Sequence, residues 1–198
     1  MSTQPVARRW TYDEFARLPD DGNRYEVIGG ELYVTASPYP IHQEVSARLG
    51  DILRPWVERH RLGRALPGPI DVLFAEGDYL APDYIFVRSN RVSIVSKRGV
   101  EAPPDLVVEI LSTSTMSRDR GIKRQRYAHF GVAEYWILDW FGKRAEIHRN
   151  NGSNAFEMEI VTGTFDWRPI PDGPVLTIDV ADLLRDFDEL EDVPDQAN

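Results

Sequence analysis

Two acids and a lysine in the middle of the chain are the residues best suited to do chemistry. Asp83 stands in Ala81-Pro82-Asp83, just ahead of the apolar run Tyr84-Ile85-Phe86-Val87. Glu109 interrupts Asp105-Leu106-Val107-Val108-Glu109-Ile110-Leu111, which otherwise reads as a buried strand. Lys123 follows on a predicted helix. A carboxylate within an apolar strand is costly to desolvate unless a partner or a metal compensates it. Carboxylates on adjacent strands repel, and a proton or a divalent cation relieves them. Oxygen ligands alone favour magnesium or manganese over zinc. Two acids and a lysine are the minimum for metal-assisted phosphodiester hydrolysis, with the lysine orienting or deprotonating water or offsetting charge on the phosphate.

The elements that must position these residues can be read from periodicity and turn chemistry. Thr11-Tyr12-Asp13-Glu14 has capping-box spacing for a short helix that ends by Pro19. Tyr25–Ile28 and Glu31–Val34 flank Gly29-Gly30 and predict a hairpin. Ile41, Val45, Leu49, Ile52, Leu53, Trp56 and Val57 make the apolar stripe of a helix from about Ile41 to His60, with a kink or break at Pro55. Ile70–Phe74 reads as a strand, Ala75–Tyr79 as a turn, and Arg88–Pro104 as an exposed connection. Asp83 then begins a strand that lies beside the Glu109 strand. Side-chain alternation puts Asp105, Val107, Glu109 and Leu111 on one face, and Leu106, Val108 and Ile110 on the other.

A helix from about Ser117 to Phe130, stopped by Gly131, carries Arg118, Arg120, Lys123, Arg124 and Arg126 against Asp119 alone. Ile122, Tyr127 and Phe130 suit its packed face. That leaves Arg118, Arg120 and Arg124 as candidate contacts to a phosphate backbone. Glu134–Asp139 is the next strand, Arg144–Arg149 and Phe156–Val161 form a hairpin, and Val175–Ile178 precedes a short helix at Val180–Leu184. The order predicts an α/β fold: a mixed central sheet flanked by helices, with an N-terminal hairpin and a C-terminal β extension.

The 198 residues suit one domain, over 1–185, followed by an acidic, frayed tail over 186–198. The net charge of -9 is an awkward sign for a nucleic-acid binder, but it is concentrated at the end. From Asp179 onward eight acids face Arg185 alone, a net -7, which leaves -2 for residues 1–178. There is no cysteine, so thiolate metal sites and disulfides are excluded. No apolar run approaches a membrane span and no signal-peptide core is visible, so the cytoplasm is the default compartment. No phosphate-cradling glycine loop, Gly-x-Ser-x-Gly elbow or His-Glu-x-x-His is present.

Pro104–Ser112, then Lys123, Tyr127 and Gly131–Asp139, together with Tyr25–Leu32, Pro38 and His42, resemble the Uma-two family of restriction-endonuclease-like proteins. The resemblance runs from about Thr11 to Leu184. It implies a nuclease of the PD-(D/E)XK superfamily: a core sheet flanked by helices and metal-dependent cleavage of DNA. Asp83 would be the first acid and Glu109 the second, together holding Mg2+ or Mn2+. The usual lysine position, two residues after Glu109, is Leu111, and the resemblance moves the lysine to Lys123 on the helix. Thr113 stands where relatives often have proline.

Pro104-Asp105 is a second candidate for the first acid, ranked behind Asp83 because that acid belongs on the preceding strand. Glu26, His42 and Asp71 are possible supporting residues, each read first as structural. Double-strand cutting would call for two active sites, hence a homodimer on duplex DNA. Two rivals stand beside the nuclease: a non-catalytic relative that binds nucleic acid or protein, and a scaffold that dimerises through its aromatic strand.

Overall fold

The computed structural model describes residues 9–37, 39–75 and 77–185. Pro38 and the acidic tail, 186–198, lie outside the described residues. The chain opens with α1 (Tyr12–Phe15), whose capping box is formed as its sequence predicts. The hairpin β1 (Arg24–Ile28) and β2 (Glu31–Thr35) follows, then α2 (Pro40–Arg59). Next come β3 (Gly63–Pro67), β4 (Val72–Ala75), β5 (Asp78–Leu80) and β6 (Tyr84–Arg88). A 3-10 turn at Ser89–Ile94 leads to β7 (Leu106–Ile110). One helical stretch joins α3 (Met116–Arg118), a π-helical turn (Asp119–Lys123) and α4 (Arg124–His129). The chain continues through β8 (Glu134–Asp139), β9 (Arg144–Asn150), β10 (Phe156–Val161), β11 (Thr164–Trp167), β12 (Leu176–Asp179) and α5 (Val180–Leu183).

A six-stranded sheet, ordered β10-β9-β8-β7-β6-β3, is the centre. Only β7 and β8 pair in parallel, so the sheet is mixed. On one face Leu106, Val108 and Ile110 pack with Trp136 against α2 and the β11–β12 extension, through Leu49, Leu53, Phe165 and Trp167. The opposite face meets α4 and a second sheet, ordered β2-β1-β5-β4, through Val107, Tyr135, Tyr127, Ile28 and Leu80. This is the α/β architecture expected, with helices on both faces, the N-terminal hairpin and the C-terminal β extension.

The structure adds local features to this reading and changes others. The α2 helix runs through Pro55, which sits on its exposed face, so the break is not taken. Gly63 ends the helix region but also begins β3: a Cβ there would lie 2.0 Å from the Val87 carbonyl oxygen, so only glycine lets this edge strand approach β6. Asp78 and Tyr79, read as turn, belong to β5, a strand too short to carry a period of its own. The two-stranded β11–β12 unit was half seen, because Thr164–Trp167 has only two inward residues.

The helix is tied to β8 and β9 by a part-buried ion network. Arg120 Nε donates to Glu146 Oε1 at 2.7 Å and its Nη2 to Asp139 Oδ2 at 2.7 Å, while Arg144 Nε donates to the same Asp139 oxygen at 3.0 Å. Burial opposes the charged form of Glu146, but His148 and Arg120 together hold its pKa at about 2. Arg120 is the closer of the two, since His148 Nε2 stays 3.7 Å away. The sign follows: this carboxylate stabilises the fold fully above its ordinary pKa of 4.5, and the contribution is lost as pH falls toward 2. Thermal melts between pH 5 and 2 should therefore fall less steeply for Glu146→Gln than for the wild type. Parallel curves would remove Glu146 as a source of acid lability.

Candidate active site

Asp83 immediately precedes β6 and Glu109 lies in β7, the antiparallel neighbour of β6, and both carboxylates are buried. Tyr84 opposes Val108 and Ile85 opposes Val107 in the antiparallel β6–β7 pair, and Asp83 stands one residue before that register begins. Asp83 N–H donates to the Val108 carbonyl at 3.1 Å, and Ile110 N–H donates to Asp83 Oδ2 at 2.7 Å. The competing Asp105 sits at the other end of β7. It accepts from Arg88 N–H at 2.8 Å and Arg91 Nη1 at 2.8 Å, which makes it the anchor of its strand's start.

The hairpin closes over these acids. Arg24 on β1 donates from Nη1 to Asp83 Oδ1 at 2.6 Å, and His42, in the first turn of α2, places Nε2 2.9 Å from Asp83 Oδ2. Glu26, two residues along β1, accepts from Ala81 N–H at 3.0 Å. Lys123 is 0% exposed and places Nζ 2.5 Å from Glu109 Oε1, 3.0 Å from Glu26 Oε1 and 3.5 Å from Asp119 Oδ1. Tyr127, also buried, donates its hydroxyl to Glu109 Oε1 at 2.7 Å. The helix thus turns a polar row, Asp119, Lys123 and Tyr127, toward the sheet at spacings of four.

The electrostatics follow from burial and charge count. Burial pushes the Glu109 carboxyl well up; Lys123 pulls it back, while Asp83, Asp119 and Glu26 push it further. Asp119 is raised chiefly by burial, and Asp71 by burial and then by the charge of Glu26. Asp83 goes the other way: against burial, the His42 hydrogen bond and the Arg24 guanidinium hold it well below the carboxylate range. Burial opposes the Lys123 ammonium, but Glu109, Glu26 and Asp119 outweigh it and raise its pKa. The surrounding acids thus favour the protonated form of this lysine. Its burial also removes the simplest alternative, a solvated helix lysine.

Of the sequence candidates, Asp83, Glu109, Lys123, Glu26 and His42 converge, and Asp71 lines the same cleft as Asp83 and His42. The helix arginines do not join them. Arg120 is committed to Asp139 and Glu146, and Arg118 Nη2 donates to Thr35 Oγ1 at 3.0 Å with its guanidinium over Tyr33. Arg124 makes no hydrogen bond or ion pair among the described residues. Arg24, Tyr127 and Asp119 are site residues that reading the sequence missed. The i, i+4, i+8 spacing of Asp119, Lys123 and Tyr127 was the available signal.

The buried acids of this cluster outnumber Lys123 and Arg24, and Glu26 Oε2 is buried without a hydrogen-bond partner. Among the described residues no three acid or histidine side chains already form a cage, because Lys123 stands between Glu26 and Glu109 and Arg24 rests on Asp83.

A mixed sheet flanked by helices, with buried acids at one end of neighbouring strands, defines the class: a nuclease-like α/β fold. Its fold matches the crystal structure of a putative nuclease belonging to DUF820 from Anabaena variabilis, with a TM-score of 0.73 at 19% identity over 88% of this chain and 97% of that one. Residues 12–183 match the model of the Uma2 family, described as putative restriction endonuclease, and the chain belongs to that family. No curated protein matches it. No helix among the described residues is long and apolar enough to cross a membrane.

Proposed function

We propose that this protein is a metal-dependent endonuclease that hydrolyses phosphodiester bonds of DNA. The observation that carries the reading is the burial of Asp83 and Glu109 at one end of the neighbouring strands β6 and β7, with a buried Lys123 ammonium against Glu109. In this reading Asp83 and Glu109 hold Mg2+ or Mn2+, and Glu26 is the acid best placed to assist them. The ion would supply Lewis acidity at the scissile phosphate. Hydrolysis adds a water oxygen to phosphorus and breaks one P–O ester bond, with a proton going to the leaving oxygen.

The residues of the chain each have a part in this. Lys123 offsets charge and, with Tyr127, fixes the Glu109 carboxylate in one orientation. Arg24 lines the open cleft beside Asp83, where its fork of N–H donors can take a phosphate oxygen. His42 holds Asp83 from the other side.

Plasmid nicking is the direct test. Supercoiled DNA should be converted to open-circular or linear forms in Mg2+ or Mn2+, and EDTA should stop it. Absence of cleavage in both metals, together with no metal binding by calorimetry, would favour the second reading, a non-catalytic relative. The contacts of Lys123 and Arg24, which compensate the acids from within the chain, speak for that rival.

A further inference from the structure

The cations of the helix are mostly engaged inside the protein: Lys123 with the acids, Arg120 with Asp139 and Glu146, Arg126 with Asp78, Arg118 with Thr35. Arg124 is the exception on the helix, and further free positive charge lies at the cleft beside Asp83. An open cleft of about 730 Å³ leads to Asp83, and Arg24, His42, Asp71, Lys97 and Arg98 line it with that acid. Lys97 and Arg98 are exposed, on the turn Ser96-Lys97-Arg98-Gly99. Lys97 makes no ion pair or hydrogen bond among the described residues.

The turn is held rigidly at the edge of the cleft. Ser96 N–H donates to the Gly99 carbonyl at 2.8 Å, Arg98 N–H to Ser96 Oγ at 3.0 Å, and Val100 N–H to the Asp71 carbonyl at 2.8 Å. Gly99 permits this seat: its φ is 135° and a Cβ there would meet the Asp71 carbonyl oxygen at 2.4 Å. The Arg98 guanidinium is propped 4.1 Å above the Tyr12 ring. Other lining comes from the segment that includes Asp20, so the cleft has one basic border and one acidic one. A polyanion entering it is drawn to the basic border.

We propose that the turn 96–99, and not the basic helix, is the phosphate-backbone contact that guides a DNA strand to Asp83. This rests on the nuclease reading above and names the surface that reading leaves open. Lys97 and Arg98 act as binding residues, each neutralising about one phosphate.

The test is fluorescence anisotropy with a labelled DNA duplex, with Ca2+ replacing Mg2+ to suppress turnover, across a salt series. Lys97→Ala with Arg98→Ala should weaken binding on the order of tenfold and make the slope of log affinity against log salt shallower by about two. Lys97→Ala alone keeps the Arg98–Tyr12 contact and should lower the slope by about one. Arg118→Ala with Arg124→Ala should change affinity less than about twofold, as expected where phosphate contacts are not removed.

Wild-type-like binding by the turn variant, or a larger loss in the helix variant, overturns the proposal while plasmid nicking by the wild type leaves the nuclease reading standing. A wild type that neither binds nor nicks DNA overturns both.

Discussion

Glu109→Gln is expected to abolish plasmid nicking while leaving the fold as stable as the wild type or more so. The two halves have separate causes. Glutamine keeps the shape and can still accept from Tyr127, but it cannot supply the charge that a divalent ion or a developing phosphate charge requires. Losing such a group typically costs about 100- to 1,000-fold in turnover. Stability moves the other way because burial and three neighbouring acids already disfavour the Glu109 carboxylate. Replacing it by a neutral isostere removes repulsion, while Lys123 retains Glu26 at 3.0 Å and Asp119 at 3.5 Å. A residue kept for function at the expense of stability shows this combination. A merely structural glutamate would show the reverse, with nicking retained and a lowered melting temperature. Supercoil-relaxation rates and thermal melts on the same preparation separate the two.

Lys123→Met should be the most destabilising single change at the site. The substitution keeps the length and apolar stem of the side chain but removes the ammonium from between Glu26, Glu109 and Asp119, all buried. Stranding one side of a buried ion pair costs about 3–5 kcal/mol, a large share of a typical stability of about 5–15 kcal/mol. For a domain of this size that lowers Tm by on the order of 10 °C. If the acids are metal ligands, Mn2+ should recover more of that loss in the variant than it adds to the wild type, because the ion takes over the compensation the lysine provided. A change below about 1 kcal/mol in chemical denaturation would mean that the acids are protonated or solvated and that Lys123 is not their counter-ion.

The two effects differ because the two residues carry opposite burdens. Glu109 is a carboxyl whose charge burial and its acid neighbours disfavour, held in place by Tyr127 and Lys123. Lys123 is the charge that makes the buried acids tolerable. Their contact at 2.5 Å is therefore asymmetric in what each loss reveals. Removing the acid reports on chemistry, and removing the ammonium reports on folding.

Much of the fold was legible because it is locally encoded. The capping box at Thr11, the glycine pair of the β1–β2 turn and the stripe of α2 need only neighbours in sequence. The short strands β3, β5 and β11 were not, since three to five residues carry too little pattern and owe their conformation to the strands beside them.

The site divides in the same way. The sequence by itself determined that Glu109 had to be compensated, because alternation along an apolar strand leaves its carboxylate no route to water. It also put Asp83 on the neighbouring strand. Only the tertiary structure decided what compensates them. Arg24 and Glu26 arrive from a hairpin more than fifty residues before Asp83 and Ala81, whose atoms they bond, and no local rule joins those segments. The sequence named Lys123 as the site lysine but gave no reason for Asp119 and Tyr127 to join it; packing turned the row Asp119, Lys123, Tyr127 inward, through a stretch that includes a π-helical turn. Which cations are consumed within the fold and which remain to meet a phosphate depends on contacts between distant elements, and that is why the basic helix looked free in one dimension and is largely engaged in three.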